Sequence, residues 1–300
     1  MSRAVVGRIA RYAPHWAMTS VAVSQPAEPH RPLEGRCIGI SISPTDELPS
    51  FGLGGDAVNV VTVDLARRII ALGGSVILGH DWRTGGVMEA VARFAVSYAG
   101  QNAAPEKPLI LNYLAEPDRR SLSSSDSKMI ESIVECATFS WANSYDEILG
   151  QAGRLTKGSR AGAQGFHALA DIAHGRGSEI AIARALNLTA MRYYIGQRSD
   201  IRILVGGKTL DYQGLAPGII EEAWWQVVFG KPLIVCGGMG GASGALMEPD
   251  SAQAFDIQND NSHPIARAYL EDIHSLAASD RSRIARLSDL RVDAILAALG

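Results

Sequence analysis

Cysteine is scarce in this chain: Cys37, Cys136 and Cys236 are the only three among 300 residues. The odd count and the lack of a CxxC pair exclude a disulfide-stapled secreted scaffold and point to a reducing compartment, so the cytoplasm is the expected location. Long apolar runs are missing too, since arginine, glutamate, glycine or proline interrupts every stretch before the roughly 20 residues that a membrane helix needs. No membrane partner is expected. Nor is there a strong charge of one sign. Residues 1–36 hold five arginines against Glu28 and Glu34, a balance of +3, so with −3 for the whole chain the remainder carries −6. An acidic body argues against nucleic acid as a partner. Two phosphate-binding signatures are absent as well: no GxxxxGK[ST] occurs, and Gly54-x-Asp56 does not complete a GxGxxG.

What is present is a globular composition, 47% hydrophobic and 20% charged, on a length that suits one large or two modest domains. Residues 1–35 read as an N-terminal arm, flexible or loosely docked, without the apolar core of a signal peptide. From Cys37 the pattern turns regular. The apolar run 37–42 is a buried strand, and the loop Ser50–Asp56 leads into Val58, Val61, Leu65, Ile69 and Leu72, one face of a helix that stops at Gly73-Gly74. Strands follow at 75–79, 108–113, 201–205 and 232–236, alternating with helices at 87–98, near 128–137, from 179 to about 196, and at 217–229. That alternation predicts an α/β fold: a doubly wound parallel sheet, Rossmann-like, with helices on both faces. Residues 138–177, rich in glycine and without a clean period, read as an insertion within a domain spanning 36–245. Residues 246–300 read as a helical C-terminal extension packed on that domain.

Glycine clusters stand directly after several strands, at 52–55, 85–86, 206–207 and 237–241. In open parallel sheets the ligand sits beyond the carboxyl ends of the strands, where bare amides and helix starts meet phosphate. A nucleotide-derived small molecule is therefore the expected ligand. In the loop after the second strand, Asp81 would hold a ribose hydroxyl, Arg83 a phosphate and Trp82 a base; the competing reading is ordinary loop packing. Lys208, directly after Gly206-Gly207, would add positive charge, or be a solvated loop lysine. His167, Asp171 and His174 share a helical face by spacing but read as solvated or hydrogen-bonded groups, and no metal or cofactor is expected. Trp224-Trp225 read as core or subunit interface.

The segment Val205-Gly-Gly-Lys-Thr, then Pro217-Gly-Ile-Ile-Glu-Glu222, then Gly230-Lys-Pro-Leu resembles the SLOG superfamily. That group includes the LOG phosphoribohydrolases, the DNA-processing DprA proteins and sensor domains of bacterial defence systems. The resemblance covers about residues 36–245. It pairs Gly206-Gly207 and Gly218 with the glycines of the LOG motif PGGxGTxxE and Glu222 with its catalytic glutamate, with Glu221 beside it. Met191-Arg192 resembles the arginine-bearing motif one helix and one strand upstream. Ser41 to Gly55, including Gly54, resembles the first glycine loop of the superfamily, and Gly79 with Thr84-Gly85-Gly86 the second.

The resemblance implies an N-glycosidic hydrolase in which Glu222 stabilises an oxocarbenium ion or activates water and Arg192 orients phosphate or base. It also implies a homo-oligomer. The plainer readings are that Glu221 and Glu222 are first-turn acids on a helix dipole and that Arg192 is a surface arginine. Two departures favour a non-catalytic sensor of a signalling nucleotide as the alternative: the loop between Gly207 and Gly218 is longer than in LOG, and Ile219 stands where the motif has threonine.

Overall fold

The computed structural model describes residues 31–45, 47–52, 54, 56–80, 82–83, 85–102, 106–118, 130–155, 179–247, 263–279, 284–288 and 291–299. Among these, seven strands form one sheet: β1 (Cys37–Ser43), β2 (Ser75–Leu78), β3 (Ile110–Ala115), β4 (Val134–Phe139), β5 (Ile201–Gly206), β6 (Leu233–Cys236) and β7 (Ile284–Leu287). Eight helices accompany them: α1 (Asp56–Ala71), α2 (Val87–Gln101), α3 (Trp141–Leu155), α4 (Glu179–Arg198), α5 (Gly218–Val228), α6 (Gly241–Ala245), α7 (His263–Ser279) and α8 (Val292–Ala297). Every strand pair is parallel, in the order β4-β3-β2-β1-β5-β6-β7. The chain winds outward from β1 to β4, crosses back to β5 on the other side of β1, and winds outward again. Its switch point therefore lies between β1 and β5, where such sheets bind ligands.

The two faces are filled differently, and β1 shows why. Its Ile38, Ile40 and Ile42 alternate with Gly39, Ser41 and Ser43, so all its apolar bulk goes to one side. That side packs on α1, α2 and α8 in one continuous cluster containing Leu65, Ile69, Val91 and Ile295. On the other side the buried apolar residues fall into two groups. One joins β5 and β6 to α5 and α7 through Leu204, Val235, Trp224 and Leu270. The other joins β2 and β3 to α4 through Ile77, Leu111, Met191 and Ile195. Between them, beneath the small residues of β1, runs a polar seam.

Local chemistry fixes the element ends near the site. α1 closes at Gly73, which has φ of 90° and donates to the Ile70 carbonyl. α2 opens at Gly86, and Glu89 in its first turn reaches back to accept from the Gly85 N–H at 2.6 Å, which ties the incoming loop to the helix start.

Three expectations need correction. The segment near 128–137 does not read out as helix over its length where it is described: Val134–Phe139 is an edge strand paired along its length with β3. The stretch 138–177 is not irregular throughout, since α3 occupies Trp141–Leu155. The C-terminal tail is not only helical, because β7 adds a seventh strand beside β6. In addition, Leu33 is buried and donates its N–H to the Leu72 carbonyl, so the last residues before the first strand belong to the fold. Residues 1–30 and 156–178, the latter including His167, Asp171 and His174, lie outside the described residues.

Candidate functional site

The carboxyl edge of the sheet at the switch point is closed by contacts between loops. Gly207 donates to the Ser43 carbonyl at 3.0 Å, Ala242 donates to the Gly207 carbonyl at 2.9 Å, and Thr45 Oγ1 donates to the Met239 carbonyl at 2.9 Å. A β-carbon at Gly206 would stand 2.5 Å from the Ser43 carbonyl oxygen, and one at Gly207 would collide with Ile219. The protein's own loops thus demand these two glycines, and Ile219, in the place of the expected threonine, is a buried residue seated on Gly207. Gly54 and Gly85 differ: both are exposed, with open space where a side chain would project.

Beneath this edge the polar seam holds four charges in an alternating chain. Glu221, wholly buried at the start of α5, accepts from Thr189 Oγ1 at 2.5 Å and from Arg192 Nη1 of α4. Arg192 Nε lies 3.6 Å from Glu222 Oε1, and Glu222 Oε2 lies 3.1 Å from Arg202 Nη1 of β5. Arg202 Nη1 also donates to Ser41 Oγ at 3.2 Å, and its Nη2 donates to Ser199 Oγ at 3.3 Å. Burial pushes the Arg202 guanidinium below its ordinary value, and the Glu222 charge works against that shift. Of the four side chains Glu222 keeps the most exposure, 15%, against 9% for Arg192, 1% for Arg202 and none for Glu221.

Glycine also matters for Arg192. Its guanidinium lies against the loop that leads into α5, so a β-carbon at Gly214 would strike Nη1 and one at Gly218 would stand 2.7 Å from Nη2. Arg192, Glu221, Glu222 and Gly218 therefore come together as one unit. Gly206 and Gly207 stand at the neighbouring strand end, followed by the exposed Lys208. Ser41 also joins the unit, but from below, as a partner of Arg202.

On the other side of β1, the loop after β2 carries Gly79, Arg83, Gly85 and Gly86, with Gly79, Arg83 and Gly85 exposed. Asp81 and Gly55 lie outside the described residues. Trp82 is buried, and its Nε1 donates to Asn112 Oδ1 at 2.7 Å, so its ring packs the loop onto the sheet. Trp224 and Trp225 are core residues: Trp224 stacks on Tyr269 with 4.6 Å between ring centroids and donates to Asp272 at 3.0 Å, while Trp225 meets Tyr193 edge-on.

Sequence reasoning missed Arg202, Thr189, Ser199 and Asn112. A signal for Arg202 was available in β1, where small and apolar residues alternate. A strand flanked on both sides, with glycine and serine on one face, leaves room that a long neighbour must fill. Arg202, paired across from Gly39, is that neighbour. A cavity of about 610 Å³ opens at the opposite, amino-terminal edge of the strands, lined by Arg36, Cys37, Ser75, Arg198 and Asp200 among others, away from the carboxyl edge. Among the described residues no group of three or more His, Cys, Asp or Glu is placed to hold a metal ion, and no helix is long and apolar enough to cross a membrane.

An all-parallel sheet with a central switch point, glycine loops on either side of it and a charged seam under one of them defines a Rossmann-like α/β protein. The family follows from sequence comparison: the SLOG cluster2 model matches residues 32–263, and the chain belongs to this family of nucleotide-related Rossmann-like domains. SLOG domains bind nucleotide-derived ligands. No curated protein matches the chain.

Proposed function

We propose that the chain binds a nucleotide or an NAD-derived molecule at the carboxyl edge of the sheet and hydrolyses its N-glycosidic bond. The observation that carries this reading is the setting of Glu222. It is the most exposed member of a buried charged cluster, its carboxylate steadied between two guanidinium groups beneath the Gly206-Gly207 strand end and the start of α5. As the bond from the ribose C1′ to the base nitrogen breaks, its electron pair leaves with the base and positive charge grows on the ring. A fixed carboxylate stabilises that charge, then accepts a proton from the water that attacks C1′; a base departing from a nucleoside monophosphate takes up a proton from solvent, whereas the nicotinamide of NAD, cationic while bonded, leaves neutral without one. Arg192, bridging Glu221 and Glu222, holds the two carboxylates in register. Gly54, Gly85, Arg83 and Lys208 form the rim that would receive phosphate or sugar.

The test is a chromatographic screen of nucleoside 5′-monophosphates and NAD for released base, with Glu222→Gln as control. Base release by the wild type that falls steeply, to a small residual rate, in the variant is the expected result. Absence of release by the wild type under conditions where a ligand binds would overturn the hydrolase reading. It would favour the second one, a sensor of a signalling nucleotide possessing the same pocket. Ile219 supports that alternative, because a buried isoleucine on Gly207 replaces a hydroxyl that would contact phosphate. Mass spectrometry of whatever co-purifies with the chain separates the two, a sensor retaining unmodified ligand. We further infer a homo-oligomer in the cytoplasm, the latter from three free cysteines; sedimentation showing monomer alone would contradict the former.

A further inference from the structure

The charged seam contains an arginine, Arg202, to which the proposed chemistry assigns no part. Arg202 is 1% exposed and sits on a central strand, with its guanidinium enclosed by Gly39, Ser41, Ser199 and Glu222. Taking a guanidinium out of water costs several kcal/mol, and apolar residues of similar volume often replace a whole buried ion pair, both partners together, without loss of stability, whereas removing one partner alone leaves the other uncompensated. The slot satisfies the arginine poorly: among the described residues Nε has no hydrogen-bond partner, and both serine hydroxyls meet it at more than 3.1 Å. Its ion-pair partner is Glu222, since Glu221 is engaged by Arg192. The surroundings are also cut to fit it. A β-carbon at Gly39 would stand 3.1 Å from Nε and 2.7 Å from Ser199 Oγ, so β1 must be bare at this point for the arginine to lie flat beneath it.

We propose that Arg202 is a positioning residue for Glu222: a guanidinium built into the sheet, braced by Ser41 and Ser199, that fixes where the carboxylate points and keeps it from folding back into the core. It rests on the reading that Glu222 is the acting carboxylate. Arg202 itself touches no substrate. Its route to solvent is closed by the residues it packs on, and it acts through Glu222 Oε2, leaving Oε1 on the side of Arg192. Such placement matters because a misplacement of about 1 Å at a reacting group costs on the order of 100-fold in rate. Ser41 is then a brace for the arginine, which accounts for a hydroxyl on an otherwise Ile-rich strand.

The experiment compares wild type, Arg202→Met, Glu222→Gln and the double variant for base release from adenosine, guanosine and cytidine 5′-monophosphates and NAD, with unfolding curves recorded alongside. Methionine fills the slot without charge. The expected result is a fall in kcat of about 100-fold in Arg202→Met with little change in KM, in a chain that still folds at reduced stability, and a double variant no slower than Glu222→Gln alone, because both changes remove one device. Should Arg202→Met not fold, Ser41→Ala is read in the same assay, where a smaller loss of kcat at unchanged KM is expected. Undiminished kcat in the folded variant, or losses that multiply in the double variant, overturn the inference while leaving the hydrolase reading in place. Failure of the wild type to release any base overturns both.

Discussion

Glu221 and Glu222 are neighbours at the start of α5, yet their carboxylates belong to different partners: Glu221 is sealed against Arg192 and Thr189, whereas Glu222 rests on Arg202 and reaches solvent. Adjacent helix positions point about 100° apart, and here that separates a sealed carboxylate from a partly open one. The two residues should therefore fail differently. Glu221→Gln leaves Arg192 buried with only a distant share of Glu222, so it should cost about 3–5 kcal/mol of stability in urea unfolding. Glu222→Gln keeps a hydrogen-bonding amide at a partly open site and should cost clearly less while slowing base release steeply. Equal losses of stability in the two variants would contradict this division.

The loop into α5 makes a second prediction. Gly214 and Gly218 face the Arg192 guanidinium so closely that an added methyl must displace it from its place beside Glu221 or shift the loop. Gly214→Ala and Gly218→Ala should each destabilise by about 1–3 kcal/mol, the usual range for overpacking. Gly100, near the end of α2, has nothing within 4 Å of the place a β-carbon would occupy, and Gly100→Ala should stabilise by about 0.4–1 kcal/mol. Thermal unfolding of the three variants, run together, checks both signs.

The fold was legible in the sequence where apolar runs alternate with amphipathic helices, because a parallel sheet buried on both faces leaves that record plainly. It was illegible at Val134–Phe139 and Ile284–Leu287. Both are short strands at the sheet edges, only partly buried, with apolar spacing that also fits a helix, and pairing with β3 and β6 decides the outcome. The site divides the same way. Glu221, Glu222, Arg192 and Gly218 follow a motif, while Arg202 is a lone charge in an apolar strand whose meaning depends on Gly39 and Ser41, more than 150 residues earlier.

Asn112, also missed, supplies a third prediction. It is fully buried on β3, where Oδ1 accepts from Trp82 and Nδ2 donates to the Leu78 and His80 carbonyls at 3.1 and 2.8 Å. One side chain thus ties the loop after β2 to the sheet, and with it the rim glycines and Arg83. Asn112→Ala removes the acceptor of the Trp82 indole N–H and the donor to two carbonyls, and should cost about 1–3 kcal/mol. Amide exchange across 79–86 should speed up in the variant; unchanged exchange there would show that the loop is held by other contacts.

A fourth prediction concerns pH. Cys37, at the head of β1, donates its backbone N–H to Asp200 at 2.7 Å, and its thiol is pushed up to about 12, chiefly by burial and next by the Asp200 charge. The native thiol therefore stays protonated while the unfolded one, with an ordinary value of 9.0, ionises first. Above that point the unfolded chain has released a proton that the fold retains, so this group's contribution is complete below pH 9 and is lost as pH rises toward 12. The slope is about 1.4 kcal/mol per pH unit. Urea unfolding at pH 8, 9 and 10 should show the decline, and Cys37→Ala should flatten it. The same shift makes the native thiol a poor nucleophile, so iodoacetamide at pH 8 should label Cys37 far more slowly in the folded chain than in the unfolded one. Rapid labelling under native conditions would mean that the start of β1 opens readily, at the strand whose Gly39 and Ser41 enclose Arg202.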